Sequence, residues 1–258
     1  MRRRTLLSLA ALAAPSFGPG RPAAQSRSYS DGTLEPVDTE LVLAVDISGS
    51  IGPEEMELQF RGYAEAFRDD AFARRVQDGA LGAIACTVFT WHNPDEQEVL
   101  VPWTRIDGPA ASTRFAAAID AAPRQSGQST SISGAVDFAL GLFGRGGFEG
   151  TRRVLDISGD GINNAAMPGR SLPTVRDQAV DAGIVVNGVV ILDRNPNPNR
   201  PARFPVDRFY RESVIGGPGA FLVVAEGFNA FGNAIRRKLI REIADARPGA
   251  PAEERFTA

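Results

Sequence analysis

The chain has 258 residues, of which 43% are hydrophobic and 23% charged, and its formal net charge is −3. This composition is typical of a globular protein; it excludes a collagen-like, coiled-coil or largely disordered chain, and the charge argues against a nucleic-acid-binding surface. With one cysteine, Cys86, and one histidine, His92, the chain can form neither an internal disulfide nor a zinc site built from Cys and His ligands.

The first 24 residues have the features of a secretory signal peptide. Residues 2–4 are arginines, the apolar run 6–14 is shorter than the ~18 residues that cross a membrane, and small residues follow up to Ala24. Residues 3–7 (Arg-Arg-Thr-Leu-Leu) resemble a twin-arginine signal, with a general secretory signal as the alternative. We therefore expect export to the periplasm or the extracellular space, without stable insertion into the membrane.

The remainder is predicted to be one domain with short extensions. Residues 25–39 are polar and are expected to form a linker, and residues 40–246 carry the alternating apolar patterns of a folded domain. Residues 247–258 contain Pro248, Gly249 and Pro251 and are expected to be a flexible tail.

Apolar runs predict strands, and apolar residues at helical spacing predict helices. The predicted strands are Leu41–Val45, Leu81–Phe89, Val99–Ile106, Val154–Ile157, Ile184–Leu192 and Ala220–Val224. The predicted helices begin at Pro53, Ile132, Leu172 and Phe228. Helices between buried strands imply an α/β fold with a doubly wound, mainly parallel sheet covered on both faces. Residues 99–106 are the expected hairpin partner of the second strand, which makes them one antiparallel edge strand.

Polar residues with oxygen ligands follow two of these strands. Asp46-Ile47-Ser48-Gly49-Ser50 comes after the first strand, and Asp160 follows the strand 154–157. A third polar segment, Ser129-Thr130-Ser131, precedes a predicted helix. Ligands of doubly wound sheets bind at the carboxyl ends of strands, and carboxylates with hydroxyls but no thiolate suit Mg²⁺, Mn²⁺ or Ca²⁺. The sequence therefore predicts a site for a divalent cation at this edge.

The same residues resemble the metal-ion-dependent adhesion site of von Willebrand factor type A (VWA) domains. The resemblance covers about residues 40–246, and it implies a Rossmann-like VWA fold. It implies that the hydroxyls of Ser48, Ser50 and Thr130 bind the metal, and that Asp46 and Asp160 bind it directly or through water. One coordination position would stay open for an acidic side chain of a partner protein. Mg²⁺ is the favoured ion, with Mn²⁺ or Ca²⁺ as alternatives.

Further segments narrow the resemblance to a bacterial group of secreted VWA-like proteins of unknown function. They are residues 41–50, 130–134, 152–164, 214–221 and 234–243. Two positions depart from the VWA pattern. Gly159 stands where a Thr usually precedes the second Asp-Gly, and Ser129 and Ser131 leave the register of Thr130 ambiguous.

Several other polar residues have structural interpretations. Asp156, inside an apolar strand, is expected to be a paired buried carboxylate, and His92 a structural histidine. Asn163 and Asn164 either line the site or form a turn. The basic run Arg236, Arg237, Lys238 and Arg241 is expected to be a solvated helix face, residues 216–219 a turn, and residues 193–205 a long loop of the kind that often carries recognition.

A metal with an open position and no general base is suited to capturing a carboxylate, so the sequence favours a non-enzymatic binding module. A hydrolase is the first alternative, because Asp46, His92 and a later Ser follow the chain order of subtilisin-like enzymes. A scaffold component that uses the domain without metal is the second. The sequence does not indicate the partner's identity or the oligomeric state.

Overall fold

The structure is a computed structural model, and it describes residues 33–192, 205–244 and 253–257. The predicted signal peptide and most of the loop 193–205 lie outside these residues. Every described helix and strand belongs to the unit Leu34–Ala258. No helix among the described residues is both long and apolar enough to cross a membrane.

Seven strands and seven α-helices lie along the described chain. The strands are β1 (Glu35–Asp46), β2 (Ile84–Trp91), β3 (Gln97–Ile106), β4 (Phe148–Gly159), β5 (Ile184–Leu192), β6 (Leu222–Glu226) and β7 (Glu253–Thr257). The helices are α1 (Pro53–Arg68), α2 (Asp70–Gln77), α3 (Pro109–Ala121), α4 (Ile132–Leu140), α5 (Leu172–Asp181), α6 (Val206–Phe209) and α7 (Phe228–Ile243). A π-helical turn, Tyr210–Val214, continues α6.

The strands form one sheet in the order β3-β2-β1-β4-β5-β6-β7. All neighbouring pairs are parallel except β2 and β3, so β3 is the antiparallel edge strand that the sequence predicts. The first strand pairs with β2 on one side and with β4 on the other. The strand order therefore reverses between β1 and β4, which is where doubly wound sheets bind ligands.

Helices cover both faces of the sheet, and each face has its own apolar core. Helices α1, α2, α3 and α7 pack on one face, where Phe60, Phe67 and Phe231 are buried. Helices α4 and α5 and the π-helical turn pack on the other, around Trp91 and Tyr210. Because β1 is covered on both sides, residues 41–45 are almost completely buried, which explains their continuous apolar run.

Most strand ends differ from the predicted ones by a few residues, and parts of the two expected extensions belong to the sheet. Strand β1 begins at Glu35, so residues 35–39 of the expected linker pair with β4. Residues 253–257 of the expected flexible tail form β7, which pairs with β6. Ion pairs from Glu253 to Arg211 and from Arg255 to Asp207 join this polar strand to α6 and the turn after it. These partners lie far away in sequence, so the apolar pattern did not indicate the strand.

Candidate metal centre

Asp46 is the last residue of β1 and its side chain is fully buried. Its Oδ1 accepts a hydrogen bond of 2.7 Å from the backbone N–H of Ser48, which closes the turn after the strand. Its Oδ2 is buried and accepts none from the described residues. Burial raises the pKa of this carboxyl well above its ordinary value and the nearby charge of Asp160 adds to the effect, while the hydrogen bond from Ser48 and the nearby backbone N–H of Asp160 oppose it. A cation would offset this cost of burying the negative charge.

The hydroxyls of the turn connect Asp46 with the end of β4. The Ser48 and Ser50 hydroxyl oxygens lie 3.2 Å apart. Ser50 donates a 2.8 Å hydrogen bond to Oδ1 of Asp160, although 110 positions separate the two residues in sequence. Ser48 is buried and Ser50 is exposed, so the group reaches from the sheet edge to solvent. The structure thus brings together the predicted site residues from β1 and β4.

The loop before α4 is attached to the same turn by backbone hydrogen bonds. Gly127 donates to the carbonyl of Ile47 at 2.7 Å, and Gly49 donates to the carbonyl of Gln128 at 3.3 Å. A side chain at position 49 would place its Cβ 3.1 Å from the Gln128 carbonyl oxygen. Glycine at this position therefore allows the two loops to approach, which is what brings the Thr130 segment to the site.

The side-chain contacts distinguish Thr130 from its two neighbours. The Ser129 hydroxyl bonds to Oδ1 of Asn93, and the Ser131 hydroxyl accepts from the backbone of Gly134 as the N-cap of α4. The Thr130 hydroxyl oxygen and its methyl carbon each lie 3.5 Å from the position that a Cβ on Gly161 would occupy. The Thr130 side chain thus lies beside the Asp160 loop, which favours Thr130 over its two neighbours as the candidate ligand.

Asn163 and Asn164 join the loop after β4 to the start of α4. Oδ1 of Asn164 accepts from the backbone of Thr130 at 2.9 Å, and the Asn164 backbone donates to the Thr130 carbonyl at 2.9 Å. Oδ1 of Asn163 accepts from the backbone of Ser133, also at 2.9 Å. Asn164 therefore holds the backbone of the candidate ligand Thr130 in place. The sequence left open whether this residue lines the site or forms a turn, and in the structure it lies beside the site and positions its backbone.

Gly159 precedes Asp160 and is glycine for a steric reason. A Cβ at this position would lie 2.7 Å from Oδ2 of Asp46 and 2.6 Å from the hydroxyl of Tyr210. A threonine here would require one or both of these side chains to shift. Tyr210, which the sequence did not single out, is completely buried in the π-helical turn after α6, and its hydroxyl lies in the space that a side chain at position 159 would need. No sequence motif marks it.

His92 is not connected to Asp46 in the way a catalytic dyad requires. Its Nε2 lies 3.1 Å from Oε2 of Glu96, while its Nδ1 has no hydrogen-bond partner among the described residues. A histidine that acts as general base in a triad is oriented by a hydrogen bond to the carboxylate, and none joins these two side chains. The geometry favours the structural interpretation of His92.

Two further expectations concern buried charges. Asp156 is fully buried and lies 2.6 Å from Nζ of Lys238, so the expectation of a paired buried carboxylate is confirmed. The expectation of a solvated face is wrong for Lys238, which is completely buried, whereas Arg236 and Arg237 are exposed.

The turn at residues 216–219 is as expected, with Gly217 and Gly219 at φ values of 95° and 76°.

The donor set fits a hard divalent cation. Two carboxylates and three hydroxyls surround the edge between β1 and β4, and these oxygen donors suit Mg²⁺, Mn²⁺ or Ca²⁺ better than ions that prefer thiolate or imidazole. The described residues contain no cluster of three or more His, Cys, Asp or Glu side chains that could hold a metal. The hydroxyls are therefore essential to the candidate site, and the buried, unpartnered Oδ2 of Asp46 is an available acceptor beside it.

Comparison with solved structures shows the fold. Proximal thread matrix protein 1 from the mussel byssus, solved "with zinc occupied MIDAS motif", matches with a TM-score of 0.54 and 15% identity over 82% of this chain and 46% of that one. BatB from Bacteroides thetaiotaomicron matches with a TM-score of 0.51 and 16% identity over 80% and 98% of the two chains. The pilus adhesin SpaC from Lactobacillus rhamnosus GG matches with a TM-score of 0.53 and 14% identity over 81% and 31%. The chain thus spans about half the length of the mussel protein and less of the adhesin.

Sequence comparison identifies the family. No curated protein sequence matches the chain. Residues 36–247 match the model of a family described as "Protein of unknown function (DUF1194)". The seven-stranded sheet, its strand order and its structural neighbours are those of a VWA domain. The chain belongs to this DUF1194 family of VWA-like proteins.

Proposed function

We propose that the protein is an exported, non-enzymatic module that binds a partner protein through a divalent cation. The cation ligands are Asp46, Ser48, Ser50, Thr130 and Asp160. The observation that carries this proposal is the hydrogen bond between Ser50 and Asp160, which joins the ends of two neighbouring parallel strands beside the buried carboxylate of Asp46. These donors converge where the strand order reverses.

The exposure of the site supports capture of a macromolecule. Ser50 is exposed, Asp160 is half-buried, and Ile162 is 38% exposed in the loop that follows. A bound cation supplies a positive charge and an open coordination position, which an acidic side chain of the partner fills. Apolar contacts of the partner with Ile162 would add surface to this single charge-assisted bond.

Several observations favour binding over catalysis. His92 is engaged with Glu96 rather than with Asp46, so the arrangement lacks an oriented general base. The structural neighbours include a pilus adhesin and a matrix protein of the mussel byssus. The signal-like segment at residues 1–24 and the surface or extracellular setting named for these neighbours support export.

Isothermal titration of Mg²⁺ and Mn²⁺ into the chelator-stripped protein tests the metal site. We expect saturable one-site binding, lost in Asp46→Ala and in Asp160→Ala. The matched control is Asp95→Ala, which removes an exposed carboxylate from the loop after β2 and should bind the metal like the wild type. Equal binding by Asp46→Ala, or loss of binding in Asp95→Ala, would contradict the ligand assignment.

An array of acidic peptides tests the role of the open position. We expect Mg²⁺-dependent retention of peptides that contain Asp or Glu, and loss of retention when these residues are replaced by Asn or Gln or when chelator is added. Retention that survives both changes would instead favour the scaffold that uses the domain without metal.

A further inference from the structure

Tyr210 and Asp46 bring two buried polar atoms to the same glycine. The Tyr210 side chain is completely buried, and its hydroxyl has no hydrogen-bond partner among the described residues. Oδ2 of Asp46 likewise has none, so the two atoms are close to the same glycine but are not hydrogen-bonded to each other in this structure. An ideal Cβ on Gly159 would lie 2.6 Å from the first atom and 2.7 Å from the second. One atom is a donor and the other an acceptor, and buried groups of this kind are nearly always paired.

The path of the backbone around Tyr210 places its hydroxyl next to Gly159. Tyr210 begins a π-helical turn between β5 and β6. Its ring lies over Gly188 of β5, where a Cβ would be 3.1 Å from the ring carbon Cδ1, and its hydroxyl ends at Gly159 of β4. Two glycines on neighbouring strands thus make room for the ring. Single π-helical turns are frequently found at functional sites.

We propose that Tyr210 is a positioning residue of the metal centre, whose hydroxyl donates a hydrogen bond to Oδ2 of Asp46 once the cation is bound and holds that carboxylate toward the cation. The proposal rests on the metal site proposed above. Groups that hold a metal ligand from behind restrict its orientation, and their removal typically lowers metal affinity by about 10- to 100-fold. Glycine at position 159 then leaves free the space in which the hydroxyl of Tyr210, from a distant part of the chain, lies.

Substitution of the two buried tyrosines separates this role from general packing. Tyr210→Phe removes only the hydroxyl oxygen and keeps the ring over Gly188. The matched control is Tyr63→Phe, because Tyr63 is 1% exposed but packs on the opposite face of the sheet, with its ring centre 5.4 Å from that of Phe231. We expect Tyr210→Phe to weaken Mg²⁺ binding about tenfold in calorimetry and Tyr63→Phe to change it less than about twofold.

A spectroscopic readout tests the hydrogen bond itself. Mg²⁺ does not absorb in the near ultraviolet, so a difference spectrum on Mg²⁺ addition reports the surroundings of the aromatic residues. We expect the difference spectrum to contain a tyrosine band at ~285 nm, because Mg²⁺ binding changes the hydrogen bond of the Tyr210 phenol. This band should disappear in Tyr210→Phe and persist in Tyr63→Phe.

A double-mutant cycle with Gly159→Ala tests the contact in the presence of chelator. The added methyl group should lower the urea midpoint of the wild type more than that of Tyr210→Phe, because one of its two clashing atoms is then gone. An equal loss in both backgrounds would overturn the placement of the hydroxyl at Gly159.

The outcomes distinguish this inference from the proposed function. Wild-type affinity in Tyr210→Phe, with normal binding by the wild type, would overturn the role of Tyr210 and leave the metal site intact. An equal loss of affinity in Tyr63→Phe would show a general packing effect and also overturn it. Absence of Mg²⁺ and Mn²⁺ binding by the wild type would overturn the metal site and, with it, the role of Tyr210.

Discussion

The ammonium group of Lys238 lies 2.6 Å from the carboxylate of Asp156, and both side chains are completely buried. Lys238 also contacts Glu242 one turn later on α7, and Glu242 accepts a 3.0 Å hydrogen bond from Asn187 of β5. Lys238 is the only lysine in the chain. One buried ammonium group therefore pairs with two buried carboxylates. The cluster of Lys238, Asp156 and Glu242 attaches α7 to the centre of the sheet.

Removal of the lysine should destabilise the protein strongly. Lys238→Met leaves Asp156 and Glu242 buried without their cation, and breaking a buried ion pair in this way typically costs about 3–5 kcal/mol. We expect a loss of this size in the free energy of unfolding, measured with urea above pH 7, where Asp156 is ionised. The matched control is Arg237→Met, which removes an exposed charge from the same helix and should cost less than about 1 kcal/mol. A similar loss in both variants would contradict the role of the buried pair.

Titration of Asp156 should make stability depend on pH. Burial raises the pKa of this carboxyl from 3.8 to about 7, against the lowering effect of Lys238, while Glu242 raises it further. The folded protein then binds more protons than the unfolded chain between about pH 4 and pH 7, so the contribution of Asp156 to stability falls as pH rises through this range.

Comparison with Asp156→Asn isolates this effect, because asparagine does not titrate. The free energy of unfolding of the wild type relative to Asp156→Asn should decrease by roughly 2–4 kcal/mol from about pH 4 to pH 7 and change little above pH 7. Urea titrations in chelator at several pH values measure it, and chelator removes any contribution of metal binding. A constant or increasing difference across the range would show that the carboxyl is ionised when folded.

The contact pattern around Thr130 predicts which hydroxyl binds the metal. Thr130→Val keeps the shape of the side chain, which lies beside Gly161, but removes its hydroxyl, so it should weaken Mg²⁺ binding at least tenfold, on the order of a lost ligand. Ser129→Ala is the control, because that hydroxyl bonds to Asn93 instead. It should leave the affinity within about threefold of the wild type. The reverse order of effects would assign the ligand to Ser129.

The elements with strong apolar patterns could be predicted from the sequence, and those stabilised by distant partners could not. The strand Ile184–Leu192 has its predicted bounds, and the helix Leu172–Asp181 begins at its predicted residue, since each has a clear pattern of its own. Helix α3 was missed because its many alanines give a weak periodic signal, and β7 because its polar residues depend on ion pairs with Arg211 and Asp207.

The same distinction holds for the site. The turn Asp46–Ser50 and Asp160 could be placed because each follows a buried strand, and parallel strands end at one edge of a sheet. Tyr210 could not, because only the path of the chain after β5 brings its hydroxyl to Gly159. Lys238 was misinterpreted because its neighbours Arg236 and Arg237 are exposed, although Glu242, four residues later, is a partner at helical spacing.

Asn164 provides a last prediction, because it holds Thr130 through its side chain and its backbone. Asn164→Ala removes the 2.9 Å hydrogen bond to the Thr130 backbone, so the loop that carries this ligand should loosen. We expect Mg²⁺ binding to weaken by about 3- to 10-fold, with a loss of about 1 kcal/mol in stability. The matched control is Asn163→Ala, which removes an equally long hydrogen bond to Ser133 and should cost similar stability without a comparable loss of affinity. Calorimetry and urea unfolding of both variants measure the two effects separately. Equal affinities for the two variants would show that fixing the Thr130 backbone does not contribute to metal binding.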